Sequence, residues 1–253
     1  VVMCIITMLC WGSWANTQKL ASKEWRFQLF YWDYAIGVFL LSLLLAFTMG
    51  STGSGGRRFL ADLQQADSQW LVSAFIGGVI FNLSNILLVA AIDIAGLAVA
   101  FPVGVGLALC LGVITTYLST KVGNAPMLGL GVAAIMVAII LDALAYKRLA
   151  SGDTKTPVKG IVISVAAGLL MGFFYKYVAQ AMGQIDPATK VLEAGKLSPY
   201  TAVVLFSAGL LLSNFLWNSI MMVKPFTGGP VPFGDYFTKG NARLHLVGIL
   251  GGM

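Results

Sequence analysis

Charged and carboxamide side chains set inside apolar runs are the groups in this chain with chemistry to perform. Lys176 is the foremost, because an ammonium in hydrocarbon costs several kcal/mol unless it faces a partner or a wet cavity. At helical spacing it shares a face with Gly168, Gly172, Ala179 and Gly183. Small residues there let a neighbouring helix approach or a cavity open. Asn16 stands on a similar face with Gly12 and Lys19, and Asn82 and Asn85 share one with Gly78 and Val89. A carboxamide both donates and accepts hydrogen bonds, which suits a neutral polar solute such as a sugar hydroxyl, a urea or a nucleobase edge. Lys176, Asn16, Asn82 and Asn85 are therefore the predicted solute contacts. The competing reading for Lys176 is a long stem that carries its ammonium out to the headgroups. Asn214 and Asn218, on one face with Ser207, read as bonds between helices rather than as solute ligands.

Proton coupling needs a carboxylate that can take up a proton inside the protein. Asp33, between Tyr31 and Tyr34, is the best candidate, although an exposed carboxylate at a span boundary is the more ordinary reading of Asp33, Asp93 and Asp142 alike. The single histidine, His245, stands where a span begins and reads as interfacial. Pro102 with Gly104 and Gly106 frees a backbone carbonyl and loosens a helical turn, so Pro102 and Gly104 are candidate gating positions in a broken or bending helix. Trp11 and Trp14 lie opposite Asn16 and read as packing or interfacial-belt residues. Cys4, Cys10 and Cys110 sit in apolar blocks, as small buried packing residues do, and form no disulfide framework. No cluster suggests a metal, and no cofactor is implied.

The elements that must position these groups follow from composition. Of 253 residues, 58% are hydrophobic and only 10% charged, and mean hydropathy is +0.86, whereas charge runs near a quarter in soluble domains. That excludes most soluble enzymes. The net charge of +6 comes from basic residues scattered singly or in pairs between apolar blocks, as loops facing anionic lipid carry them, so no nucleic-acid partner is implied. The spacing predicts membrane helices over 1–19, 34–50, 71–92, 94–120, 122–146, 160–182 and 200–223, with an eighth starting at Leu244 and cut off at Met253. The expected fold is an all-α polytopic membrane helix bundle.

A repeat is visible within it. Trp70 to Gly78 resembles Leu244 to Gly252, with Phe59 and Phe233 ahead of each at the same distance. In the same alignment Tyr34 falls on Tyr200, Gly12 on Gly172 and Asn16 on Lys176. Five helices per repeat follow, and an odd number forces the second copy to enter the membrane in the opposite sense. The expectation is thus an inverted five-plus-five repeat, truncated in helix 8: residues 1–146 as the first repeat, 147–157 as a short linker and 158–253 as the incomplete second. Lys and Arg counts in the loops favour an external amino terminus.

With these residues in place, the sequence resembles the drug/metabolite transporter superfamily, and within it the ureide permeases. The resemblance is carried by Asp33-Tyr34 opening helix 2, by Gly77-Gly78 followed by Asn85 and Gly96-Leu97, and by Arg243-Leu244 before the glycine-rich start of helix 8. Trp11-Gly12-Ser13 is more loosely similar to the glucose/ribose and rhamnose uptake branches. What the resemblance implies is ten helices around a central cavity and proton-coupled uptake of allantoin-like heterocycles or nucleobases. The chain departs from plant members in its short link between halves, where Gly152 to Thr156 lacks phosphate-loop spacing, and in Asp93, where a neutral residue is expected.

The reading is a secondary transporter that imports a small polar metabolite by alternating access, an integral multi-pass protein of the inner cell membrane, with the solute and the lipid bilayer as partners and a homodimer permitted. It is not read as an enzyme, since no zinc pair, aspartyl pair or Ser/His dyad is present. A monosaccharide carrier or a metabolite exporter of the same superfamily is the alternative, and a pore lacks the ring-forming charges it would need.

Overall fold

A computed structural model describes residues 2–21, 24–52, 57–120, 123–149, 158–186, 188–189 and 191–253. Ten helices follow in order: α1 Val2–Ala21, α2 Phe27–Phe47, α3 Phe59–Gln65, α4 Ser68–Ala95, α5 Leu97–Thr120, α6 Ala125–Leu149, α7 Val158–Ala181, α8 Pro199–Val223, α9 Asp235–Thr238 and α10 Ala242–Gly252. Six of them, α2, α4, α5, α6, α7 and α8, are long and apolar enough to cross a membrane. Helix α1 has comparable length but carries Asn16, Gln18 and Lys19 in its last turns and is not among the six. Among the described residues there are no strands, only isolated bridges pairing Met182 with Leu197 and Ile185 with Leu192 before α8.

Six of the seven complete spans expected are present, with shifted ends, while the first, 1–19, is a helix that is not among the six. Helix α2 begins at Phe27, seven residues ahead of the predicted Tyr34, so Asp33 lies inside a helix and not at its mouth. Helix α6 continues to Leu149, into the predicted linker, and residues 150–157 of that linker lie outside the described ones. Two short helices, α3 and α9, occupy stretches that lay between the predicted spans. Helix starts obey local rules: Ser198 accepts from the Thr201 N–H ahead of Pro199, and Asn241 accepts from the Leu244 N–H. Helices α4 and α5 meet at Gly96 alone, whose φ of +82° needs no Cβ.

Helix α4 lies at the centre, against α7, α8 and α5, while α2 packs on α8 and α10. Two crossings are nearly identical in construction. In one, Gly78 of α4 faces the Phe206 carbonyl and the Leu210 N–H of α8, and Gly209 returns the contact on the Phe75 carbonyl. In the other, Gly252 of α10 faces the Tyr34 carbonyl and the Val38 N–H of α2, and Gly37 returns it on the Ile249 carbonyl. The spacing is conserved partner for partner: Phe75 and Gly78 match Ile249 and Gly252, while Tyr34, Gly37 and Val38 match Phe206, Gly209 and Leu210. This register pairs Tyr34 with Phe206, not with Tyr200 as sequence alignment alone suggested. Helices α2 and α8 themselves run antiparallel, tied at one end by Ser42 Oγ to Ser207 Oγ at 2.6 Å and at the other by Asn218 Nδ2 donating to the Gln28 carbonyl at 2.8 Å.

Candidate functional site

Where α1, α2, α4, α8 and α10 converge, a cavity of about 230 Å³ is lined by Trp11, Trp14, Tyr34, Phe81, Asn85 and Phe206. The tilted ring of Trp14 lies 5.5 Å from Tyr34, which stacks on Tyr31 at 5.2 Å. Asn85 Nδ2 donates to Tyr31 Oη at 3.0 Å, so a buried phenol behind the wall fixes the carboxamide's position. Aromatic faces with one anchored carboxamide can hold a small flat molecule bearing N–H and C=O groups. A larger recess of about 630 Å³ between α1, α5 and α7 has no charged side chain and no carboxamide in its lining, so it has less with which to orient a polar solute.

Beside the cavity, α2 also presents Asp33, which is only 2% exposed. Tyr236 Oη of α9 donates to Asp33 Oδ1 at 2.5 Å, and His245 Nδ1 of α10 lies 2.8 Å from Asp33 Oδ2. Gly248 admits this arrangement, because a Cβ there would collide with that of Asp33. Trp25 covers the cluster, stacked 5.6 Å from Tyr236 and edge-on 4.9 Å from His245. Burial, and then the hydrogen bond and charge of Asp33, push the Tyr236 phenol well above its ordinary value. It therefore stays a donor. The cluster joins α2, α9 and α10 through one ionisable pair.

A second buried carboxylate stands at the other end of α2. Asp62 of α3 receives Arg57 Nε at 2.8 Å on Oδ1 and the Ser198 N–H at 2.7 Å on Oδ2. The rest of the Arg57 guanidinium donates to the carbonyls of Leu192, Glu193 and Lys196. Burial raises the Asp62 pKa, but hydrogen bonds from Thr201, Ser198 and Arg57 outweigh it and hold the carboxyl below the usual range. A depressed folded value means that the stabilisation is complete above the unfolded pKa of about 3.9 and is lost as pH falls through the folded value. Melting curves of Asp62→Asn are accordingly expected to lose the fall below about pH 4 that Asp62 contributes in the unmodified protein. Arg57→Met, which strands a buried charge, should cost about 3–5 kcal/mol at neutral pH, read as a drop in melting temperature.

The predicted site residues are only partly brought together. Asn85 lines the cavity, and Asn82 is wholly buried one turn away, with Nδ2 donating to Ser213 Oγ at 2.9 Å. Asn16 is exposed, turned back on the Gly12 carbonyl of its own helix. Lys176 is exposed as well. Gly168 and Gly172 do pack closely, against Gly104 and Leu111 of α5, but Lys176 does not line either cavity. Pro102 sits within an unbroken α5, and Gly104 is a close crossing with Leu88 and Ser164, so the helix is not broken there. The boundary reading of Asp33 is overturned by its burial, and His245 is the carboxylate's partner. Trp11 and Trp14 line the cavity opposite the exposed Asn16, so the indole face of α1 is the inner one. Cys10, expected to be buried, is exposed, whereas Cys110 is buried.

Tyr236 and the Arg57/Asp62 pair went unnoticed in the sequence, and Tyr31 was seen only as a neighbour of Asp33. Phe59 and Phe233, already matched in the repeat, flank the segments that bring in Asp62 and Tyr236. That match was the available signal.

Fold and site together define a polytopic helical membrane protein with an interior aromatic cavity. The chain belongs to the ureide permease family, whose family model matches residues 30–160. It is 24% identical over 225 residues to Ureide permease 1 of Arabidopsis thaliana, covering 83% of this chain and 57% of that protein. Identity to Probable ureide permease A3 of Vigna unguiculata is 30% over 149 residues, 57% of this chain and 40% of that protein. With Ureide permease 3 of Arabidopsis thaliana it is 25% over 265 residues, 94% of this chain and 77% of that one. The chain thus spans about half the length of the first two. All three bear the names of permeases, not of enzymes. No solved structure matches the chain.

Proposed function

We propose that this chain forms most of the membrane core of a secondary carrier that takes up ureides or similarly flat N–H/C=O heterocycles across a cell membrane, with a proton as the coupling ion. The observation that carries the reading is the aromatic cavity with its anchored carboxamide, in a chain of a family whose relatives are named for ureides. A ureide is planar in its parts and alternates donors with acceptors, so ring faces of Trp14, Tyr34 and Phe81 can cover it while Asn85 meets its edge. Asp33 is the proton carrier in this scheme. It is buried, paired with a titratable imidazole, and carried on the helix whose next residue, Tyr34, lines the cavity.

The alternating motion is that of two repeats, 1–146 and 158–253, inverted about an axis in the membrane plane. Support comes from the matched glycine crossings and from α2 and α8 running antiparallel as the corresponding helices of the two copies. Gly104, where α5 slides close past α4 and α7, and Pro102 beside it are the positions in α5 where the change of shape is taken up.

Asn85→Leu keeps the branched shape of the side chain, at a larger volume, and removes the polar edge. Uptake of labelled allantoin by the whole protein in proteoliposomes is expected to drop at least about tenfold, equivalent to about 1.4 kcal/mol of lost recognition. Unchanged uptake by a normally folded variant would remove the cavity from the solute path.

A further inference from the structure

The aromatic cavity contains a second polar group, the hydroxyl of Tyr34. Tyr31 is 0% exposed and stands behind the wall, whereas Tyr34 and Asn85 line the cavity. Asn85 is held from the rear, its Nδ2 donating to Tyr31 Oη at 3.0 Å, and the Tyr34 hydroxyl lies close enough for the same carboxamide to act on it. Among the described residues nothing donates to Asn85 Oδ1 and nothing accepts the Tyr34 hydrogen, yet neither group is one of the buried atoms sealed off without a partner. Both therefore open on the cavity.

A carbonyl acceptor beside a hydroxyl donor is complementary to an N–H beside a C=O. Turning the amide over exchanges the roles, because Nδ2 then donates to the solute carbonyl and the tyrosine oxygen accepts from the solute N–H. The pattern required of the solute stays the same. A sugar hydroxyl satisfies either group singly, but an N–H fixed next to a C=O in one ring satisfies both without freezing a rotor. At about 230 Å³ the space lies below the roughly 300–1,000 Å³ of sites for drug-sized ligands, so a single small ring suits it.

We propose that Tyr34 determines specificity: its hydroxyl and the Asn85 carboxamide together read the adjacent N–H and C=O of a cyclic amide or cyclic urea. A solute methylated at that nitrogen is rejected, because it leaves both groups unmet in an apolar wall. This rests on the cavity being the solute site, and adds which edge of the solute is recognised and by which side chains.

The test uses the full protein in proteoliposomes, with labelled allantoin as the transported solute and two competitors. One is hydantoin, a small flat ring with N–H beside C=O; the other is hydantoin methylated on both ring nitrogens. The unmodified protein is expected to bind hydantoin at least about tenfold more tightly than the dimethyl compound. Tyr34→Phe removes one oxygen and keeps the ring. It is expected to weaken competition by hydantoin about tenfold and competition by the dimethyl compound by less than about twofold. The methyl groups hold the solute edge away from both polar side chains, so the variant has nothing further to lose there, whereas exclusion by bulk alone would persist unchanged in both proteins. Equal losses on the two competitors, or none on either, overturn the proposal. So does an unmodified protein that fails to distinguish them, a comparison that stands even if Tyr34→Phe does not fold. Asn85→Leu separates this inference from the reading beneath it. Undiminished allantoin uptake by that variant removes the cavity altogether, while impaired uptake beside an indifferent Tyr34→Phe removes only the tyrosine.

Discussion

Asp33→Asn is expected to abolish concentrative uptake while leaving solute exchange intact. One proton moving through 100 mV delivers about 2.3 kcal/mol, enough for about a fiftyfold accumulation of solute. A carboxamide keeps the size of the side chain and can still bond Tyr236 and His245, but it cannot carry that proton. Proteoliposomes with an imposed pH gradient should then equilibrate labelled solute and go no further, whereas counterflow between preloaded and external solute persists. If the variant still accumulates solute against a gradient, the proton is carried elsewhere. His245→Gln separates the roles within the cluster: with Asp33 as carrier, it shifts the pH at which uptake is half-maximal without removing accumulation.

The second large effect is on the fold. Alanine at Gly78 would place its methyl far inside van der Waals contact with the Phe206 carbonyl oxygen, and alanine at Gly209 would do the same on Phe75. Overpacking commonly costs about 1–3 kcal/mol when side chains can shift. Here the obstacle is backbone, so α4 must part from α8, and the Asn82 to Ser213 bond is lost with it. Gly78→Ala is expected to yield aggregated protein on size-exclusion chromatography in detergent. Gly129→Ala, at an open position of α6, should elute as the unmodified protein does. Equal behaviour of the two variants would contradict the close crossing.

Much of this bundle is legible in the residues. Apolar runs located the spans to within a few positions, and Gly77-Gly78 with Gly251-Gly252 marked two crossings where backbones meet. Hydropathy failed at the start of α2, where Trp25, Arg26 and Gln28 look like loop residues. Arg26 does stay exposed, but Trp25 and Gln28 become interior because Asn218, Tyr236 and His245 arrive from far along the chain to partner or cover that turn, and no local pattern announces such partners. The same limit applies to α1. Polarity suggested that Asn16 faces inward, yet the indoles opposite it are better cavity walls, since an aromatic ring fills space beside Phe81 and Phe206 that a short amide would leave empty. Lys176 was placed by the glycines on its face. Those glycines do seat α7 on α5, but the lysine lies a turn past the closest approach, where its stem is free to turn outward.

The paired crossings also say where the proposed rocking would meet resistance. Glycine set against main-chain carbonyls locks α4 to α8 and α10 to α2 as two interlocked tongs, leaving little slack for either to rotate internally. Between the tongs, α2 and α8 touch through the Ser42–Ser207 and Asn218–Gln28 bonds and through Trp32 set against Phe215 and Met222, with no glycine-to-carbonyl lock of the same kind among the contacts described. In the carrier proposed above, the slip plane would run along that interface, and stiffening it, rather than the glycine joints, is what would freeze the machine.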